Sequence, residues 1–228
     1  MKDKDQNQNE ELETVGRRSL LTNMSVAAVA GLAASVASVP VQAQGRAAGF
    51  EPARHVKDAW MGELAGNHRV FVDSANLSGG ANAVRYAKNI IAAHEDDYEG
   101  ESSDYALIVC FRHGSTPYGF NDAVWEKYGA LFNPNADSAP TANPMNTASF
   151  SNGQTSLADL RAKGVEVVIC SRATRTYSRR LATATGASYD DVHAELVAGI
   201  IPKSRFVPAG VLAATRSQEY GYSLLYAQ

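Results

Sequence analysis

Apolar and polar positions along this chain change period in a regular order. Arg54 to Leu64 sets Val56, Trp60 and Leu64 at helical spacing ahead of Gly66, which predicts a short helix. His68 to Val72 (His-Arg-Val-Phe-Val) predicts a first strand. Ser78-Gly79-Gly80, read as a tight turn, opens a helix with Ala83, Ala87, Ile90, Ile91 and His94 as its inner stripe. Glu95 to Ser103 holds five acids and a glycine and predicts a solvated loop. Tyr105 to Phe111 is apolar without clean alternation, as expected of a strand buried on both faces. Arg112-His113-Gly114-Ser115-Thr116-Pro117 breaks that run, and Asn121 to Phe132 predicts a helix.

The second half repeats the alternation. Ser156-Leu-Ala-Asp159 has capping-box spacing and starts a helix that Gly164 ends. The β-branched run from Val165 to Ile169 predicts a strand, and an arginine-rich helix follows Cys170, with Tyr177, Leu181 and Ala184 as its inner stripe. Ser188-Tyr-Asp-Asp191 marks another helix start, for a helix reaching about Ala198. Arg205 to Val207 predicts a strand, Val211 to Tyr220 a helix stopped by Gly221, and Tyr222 to Tyr226 a last strand. Strand and helix therefore alternate without hairpin signals. That order predicts an α/β domain built on a mainly parallel sheet with helices on both faces.

Two stretches depart from this rhythm. Residues 1–23 are polar and charged and carry Arg17-Arg18; Met24 to Val39 is alanine-rich and apolar; Pro40 and Val41-Gln42-Ala43 follow. Charged region, apolar region and small-residue site stand in the order of an export signal, with cleavage expected after Ala43. Gly16-Arg17-Arg18-Ser19-Leu20-Leu21 resembles the twin-arginine signal, with Gly16 where Ser or Thr is usual. The competing reading is an uncleaved membrane anchor, although the run is shorter than the ~20 apolar residues of a spanning helix. The expected organisation is a signal over 1–43, an extension with a short helix over 44–67 and an α/β domain over 68–228. Asn133 to Gly153 is the second departure, 21 residues with Asp137 as the single charge, a length that marks loops with a function or without order.

The chain carries 21 Lys+Arg against 24 Asp+Glu, a net charge of −3, which gives no reason to expect nucleic acid or an anionic membrane surface as partner. Five scattered histidines without zinc-site spacing point away from a metal, and Ser78-Gly79-Gly80 lacks the phosphate-loop lysine and the dinucleotide glycine spacing. Cys170 ends its strand where a helix begins. A thiolate is the reactive form of cysteine, and helix amino termini and nearby cations favour it. With Arg175 and Arg179 expected on the outer face of that helix, Arg172 is the arginine expected near the thiol. His113 leaves the neighbouring strand and can serve as a base or ion-pair partner at the same sheet edge. The bland reading of Cys170 is a buried apolar filler. Cys110 ends an apolar strand two residues before Arg112, as Cys170 does before Arg172. It reads either as core or as the partner of Cys170 in a disulfide or redox pair.

Gly164-Val-Glu-Val-Val-Ile-Cys170, Phe206-Val-Pro-Ala-Gly210-Val, Gln218-Glu-Tyr-Gly-Tyr222 and Phe111-Arg-His-Gly-Ser-Thr-Pro117 together resemble the DsrE/DsrF-like sulfur-relay family, over roughly His68 to Tyr226. The resemblance implies a three-layer α/β/α domain with a five-stranded parallel sheet, often assembled into homo-oligomers. It implies that Cys170 accepts sulfur as a persulfide and passes it to a partner protein; no residue pattern in the chain names a cofactor. The export signal, the Asn133–Gly153 insertion and Cys110 depart from the family's intracellular relay proteins. A periplasmic location and a non-catalytic binding or assembly module of the same fold are the expectations those departures add.

Overall fold

The computed structural model describes residues 51–146 and 156–228. The export signal read in residues 1–43, with Arg17, Arg18 and Ala43, lies outside the described residues, as does the end of the Asn133–Gly153 insertion. Among the described residues no helix is long and apolar enough to cross a membrane.

Five parallel strands form one sheet in the order β4-β3-β2-β1-β5: β1 His68–Ser74, β2 Tyr105–Phe111, β3 Glu166–Cys170, β4 Arg205–Val207 and β5 Ser223–Ala227. Among the described residues seven α-helices accompany them: α1 Trp60–Glu63, α2 Leu77–Asp97, α3 Asp122–Phe132, α4 Leu157–Ala162, α5 Ser171–Thr185, α6 Tyr189–Ala198 and α7 Gly210–Glu219. The chain steps from β1 to β4 in one direction, and crossovers of one hand put α2 to α6 on one face. It then returns past β1 to form β5, which carries α7 to the opposite face. The core divides accordingly. Leu107, Val109 and Phe111 of β2 pack with α2 to α6, while Ala106, Ile108 and Cys110 pack with Met61 of α1 and Ala213 and Ala214 of α7. The protein is a three-layer α/β/α sandwich.

Several local readings need correcting. The predicted helix over 54–64 is a 3-10 turn, Val56–Asp58, followed by the four-residue α1; Val56 is 83 % exposed and Met61, outside the predicted stripe, is the buried anchor. Ser78-Gly79-Gly80 is the first turn of α2 rather than a tight turn, and Asn76 caps it by accepting from the Gly79 amide at 2.6 Å. A Cβ at Gly79 would stand 2.5 Å from the Ala227 carbonyl oxygen, and one at Gly80 2.6 Å from the Tyr118 ring, so these glycines serve close packing. Helix α2 also absorbs Glu95 to Asp97 from the predicted acidic loop. Both capping boxes read from sequence start helices where expected, with Ser156 and Ser188 accepting from the amides of Asp159 and Asp191.

The insertion is folded onto the domain as far as Asn146. Buried Asn143 donates from Nδ2 to the carbonyls of Tyr118 (2.8 Å) and Phe120 (2.7 Å), and its amide donates to Asp122 at 2.9 Å. Met145 enters the α2–α6 core, and a Cβ on Gly129 would collide with the Pro140 carbonyl.

Candidate functional site

Among neighbouring strands, β3 and β4 send their following helices to opposite faces: α5 to one and α7 to the other. Such a topological switch leaves a crevice beyond the carboxyl ends of the strands, the usual place for a ligand in an open α/β sheet. Here it is a cleft of about 400 Å³ lined by His113, Cys170, Arg172, Ala173, Arg175, Thr176, Arg179, Ala209 and Val211. The three residues singled out from sequence, Cys170, His113 and Arg172, all line it.

Cys170 is at once the last residue of β3 and the N-cap of α5, with extended backbone (φ −74°, ψ 110°). The Ala173 amide donates to its Sγ at 3.4 Å, so the sulfur takes the place that a Ser, Thr or Asp oxygen takes at other helix starts. The hydroxyl of Thr174 donates to the Cys170 carbonyl at 3.0 Å, and the cysteine is 5 % exposed. The thiol is thus fixed at the floor of the cleft by the first turn of the helix.

The inner stripe of α5 differs from the sequence expectation. Ala173, Thr174, Ser178, Leu181 and Ala182 are buried, whereas Ala184 is exposed. The stripe is rotated toward small and hydroxyl residues. As a result Arg172, Arg175 and Arg179, all exposed, follow one another along the side of α5 that borders the cleft. Arg175 and Arg179 are solvated as predicted, but they share the cleft with Arg172 instead of facing away from it.

His113 starts a 3-10 helix, His113–Gly119, in a left-handed conformation (φ 48°). The turn is pinned below it. The Gly114 amide donates to the Ala75 carbonyl at 2.8 Å, and the Arg112 amide donates to Ser115 Oγ at 3.0 Å. Beside it the Ser74 hydroxyl donates to the Cys110 carbonyl at 2.7 Å. The imidazole is oriented through Arg112. That guanidinium donates Nε to Asp73 Oδ1 (2.8 Å) and Nη2 to Asp73 Oδ2 (2.7 Å), and Nη1 lies 2.7 Å from His113 Nδ1. A guanidinium has donors only, so Nδ1 accepts and the ring hydrogen sits on Nε2. Asp73, Arg112 and His113 form a chain running from β1 to the cleft.

Sequence reading missed Asp73, Arg112 as an ion-pair member, and Gly210. The signal for Asp73 was a carboxylate at the end of an apolar strand. A Cβ on Gly210 would stand 2.7 Å from Cβ of Arg112, so only glycine lets α7 begin against that side chain.

Cys110 has a different setting. It is 0 % exposed, among Phe71, Ile108 and Val168 in the core beneath α7, and burial pushes its thiol well above the ordinary value. Cys110 pairs in register with Val168, so Cys170 lies two residues further along the adjacent strand on the same face. Both thiols are free in this structure. Among the described residues no group of three or more His, Cys, Asp or Glu side chains is arranged to hold a metal.

Comparison with known proteins adds little to this geometry. No family model matches the chain, and no curated protein does. A solved protein of unknown function from Methanobacterium thermoautotrophicum is similar at 15 % identity with a TM-score of 0.39, covering 70 % of this chain and 99 % of its own.

Proposed function

We propose that this protein is a thiol-based sulfur carrier in which Cys170 accepts a sulfur atom and hands it to an acceptor protein. The observation that carries the reading is a cysteine sulfur capping a helix at the floor of a cleft at the sheet's switch point, with His113 and Arg172 on the walls. In the accepting step the Cys170 thiolate attacks the terminal sulfur of a persulfide donor. A new S–S bond forms at Cys170, the donor's S–S bond breaks, and the donor sulfur leaves as a thiolate with the electron pair. No external oxidant enters. His113, with its hydrogen on Nε2, donates a hydrogen bond to the leaving thiolate, which takes its proton from water, and Arg172 holds the charge of the incoming group. The signal read in residues 1–43 directs this chemistry to the periplasm, and assembly into homo-oligomers belongs to the same reading.

The test is mass spectrometry of the full-length protein after incubation with a small persulfide donor. A gain of about 32 Da on the peptide containing Cys170, removed by dithiothreitol, is expected. An unmodified Cys170 thiol, shown free by alkylation, overturns the proposal.

A further inference from the structure

Five features of the cleft share one sign. Helix α5 carries Arg172, Arg175, Arg179 and Arg180 and no acid from Ser171 to Thr185. Arg172 and Arg175 stand in its first turns, where the positive end of the helix dipole makes cations unfavourable. Among the described residues no carboxylate lies within ion-pair distance of Arg172, Arg175 or Arg179. Across the cleft, Ala209 starts the ten-residue α7 without a side-chain cap, and Ala209 and Val211 line the same space. Two helix amino termini and three arginines therefore converge on one cleft. Elsewhere Arg112 pairs with Asp73 and Lys163 with Glu95. A local arrangement that costs stability and finds no compensation among the described residues marks a site whose complement comes from outside.

We infer that the cleft binds a small polyanion, a molecule with at least two negative oxygen-bearing groups, laid along the arginine side of α5 from the Cys170 thiol outward. Three residues and then four separate the arginines, so they span about 10 Å of helix. A single monovalent anion cannot engage all three, whereas a phosphate ester or a polycarboxylate can. The volume of about 400 Å³ suits a small molecule rather than a polymer. The inference takes from the proposed function only the cleft as the place where the reaction partner sits.

Isothermal titration of the full-length protein with pyrophosphate tests it, with citrate as a second arm that separates phosphate from carboxylate recognition. Saturable binding that weakens with added salt is expected for at least one of the two. Replacing both outer arginines (R175Q with R179Q) weakens it at least about tenfold. Both side chains are solvent-exposed, so the variant keeps its fold, checked by a melting temperature that is not lowered, and Arg85→Gln, on the exposed side of α2, leaves binding as it was. Bound polyanion also slows alkylation of Cys170. Absence of saturable binding of either probe up to about 10 mM, or equal binding by the double variant, overturns the inference. Cys170→Ala separates the two ideas. It keeps polyanion binding while abolishing sulfur uptake, so failure to form a persulfide in a protein that binds pyrophosphate sinks the carrier reading alone. A persulfide formed in a protein that binds neither probe sinks this inference alone.

Discussion

Strands β2 and β3 leave the same edge of the sheet with the same pattern, Cys110-Phe-Arg112 and Cys170-Ser-Arg172. Their surroundings give the two copies opposite fates. Strand β2 is flanked by β1, whose Asp73 is in register with Cys110, so Arg112 turns onto a carboxylate and is roofed by the start of α7. It also runs one residue past its cysteine, which keeps Cys110 inside the sheet. Strand β3 ends on its cysteine. Its outer neighbour β4 is three residues long, finishes level with Cys170 at Val207, and is followed by Pro208 and Ala209, neither of which carries a charge. Arg172 thus keeps a guanidinium with no carboxylate partner among the described residues, on the same cleft as the Cys170 thiol. The neighbouring strand, rather than the tripeptide, decides whether this pattern becomes structure or site.

The widest gap between the two copies is in thiol reactivity. Brief treatment of the native protein with iodoacetamide labels Cys170 and leaves Cys110 unlabelled until denaturant is added. Equal labelling of both, read by peptide mass, would remove the distinction. The arginines differ next most. Asp73→Ala leaves the half-buried Arg112 without its partner and costs about 2–3 kcal/mol in urea unfolding, whereas Arg172→Met changes stability by less than about 0.5 kcal/mol. Comparable losses in the two variants would show that Arg172 has a structural partner after all. The smallest contrast comes from serine in place of each sulfur. Cys110→Ser buries a hydroxyl in an apolar layer and costs about 1–3 kcal/mol. Cys170→Ser installs a favoured N-cap residue and leaves stability unchanged or slightly raised. The Cys110 thiol adds a pH signature of its own. Its folded value is raised above the ordinary 9.0, so its contribution is complete below that pH and is lost as the pH rises further, when the unfolded chain alone ionises. Cys110→Ser lacks this alkaline loss.

Much of the scaffold could be read from periodicity, because its strands are β-branched or largely apolar and two of its helices, α4 and α6, begin with serine caps. The β4 and β2 boundaries agree with the structure to the residue. What could not be read was carried by residues whose burial does not follow hydrophobicity. Thr174 and Ser178 sit inside α5 by donating to carbonyls four residues back, at 3.0 Å each, so the helix hides a buried stripe that looks polar. That rotation is why Arg175 and Arg179 border the cleft. The Asp73–Arg112 pair joins residues 39 apart, a relation that exists only once β1 and β2 are in register. Gly129 and Asn143 fasten an insertion that by composition alone reads as a free loop.

Of the five strands of this sheet, β1 is made first during synthesis and is the last to gain both neighbours. It pairs with β2 early, yet its other side waits for Ser223–Ala227 at the far end of the chain. Throughout that interval an apolar strand presents a row of free amides and carbonyls, a template for intermolecular pairing. Every residue lining the cleft precedes Ser223. Proteolytic loss of residues 223–228 would therefore spare the reactive groups while turning an interior strand into an adhesive edge, so the integrity of the tail governs solubility more directly than it governs chemistry.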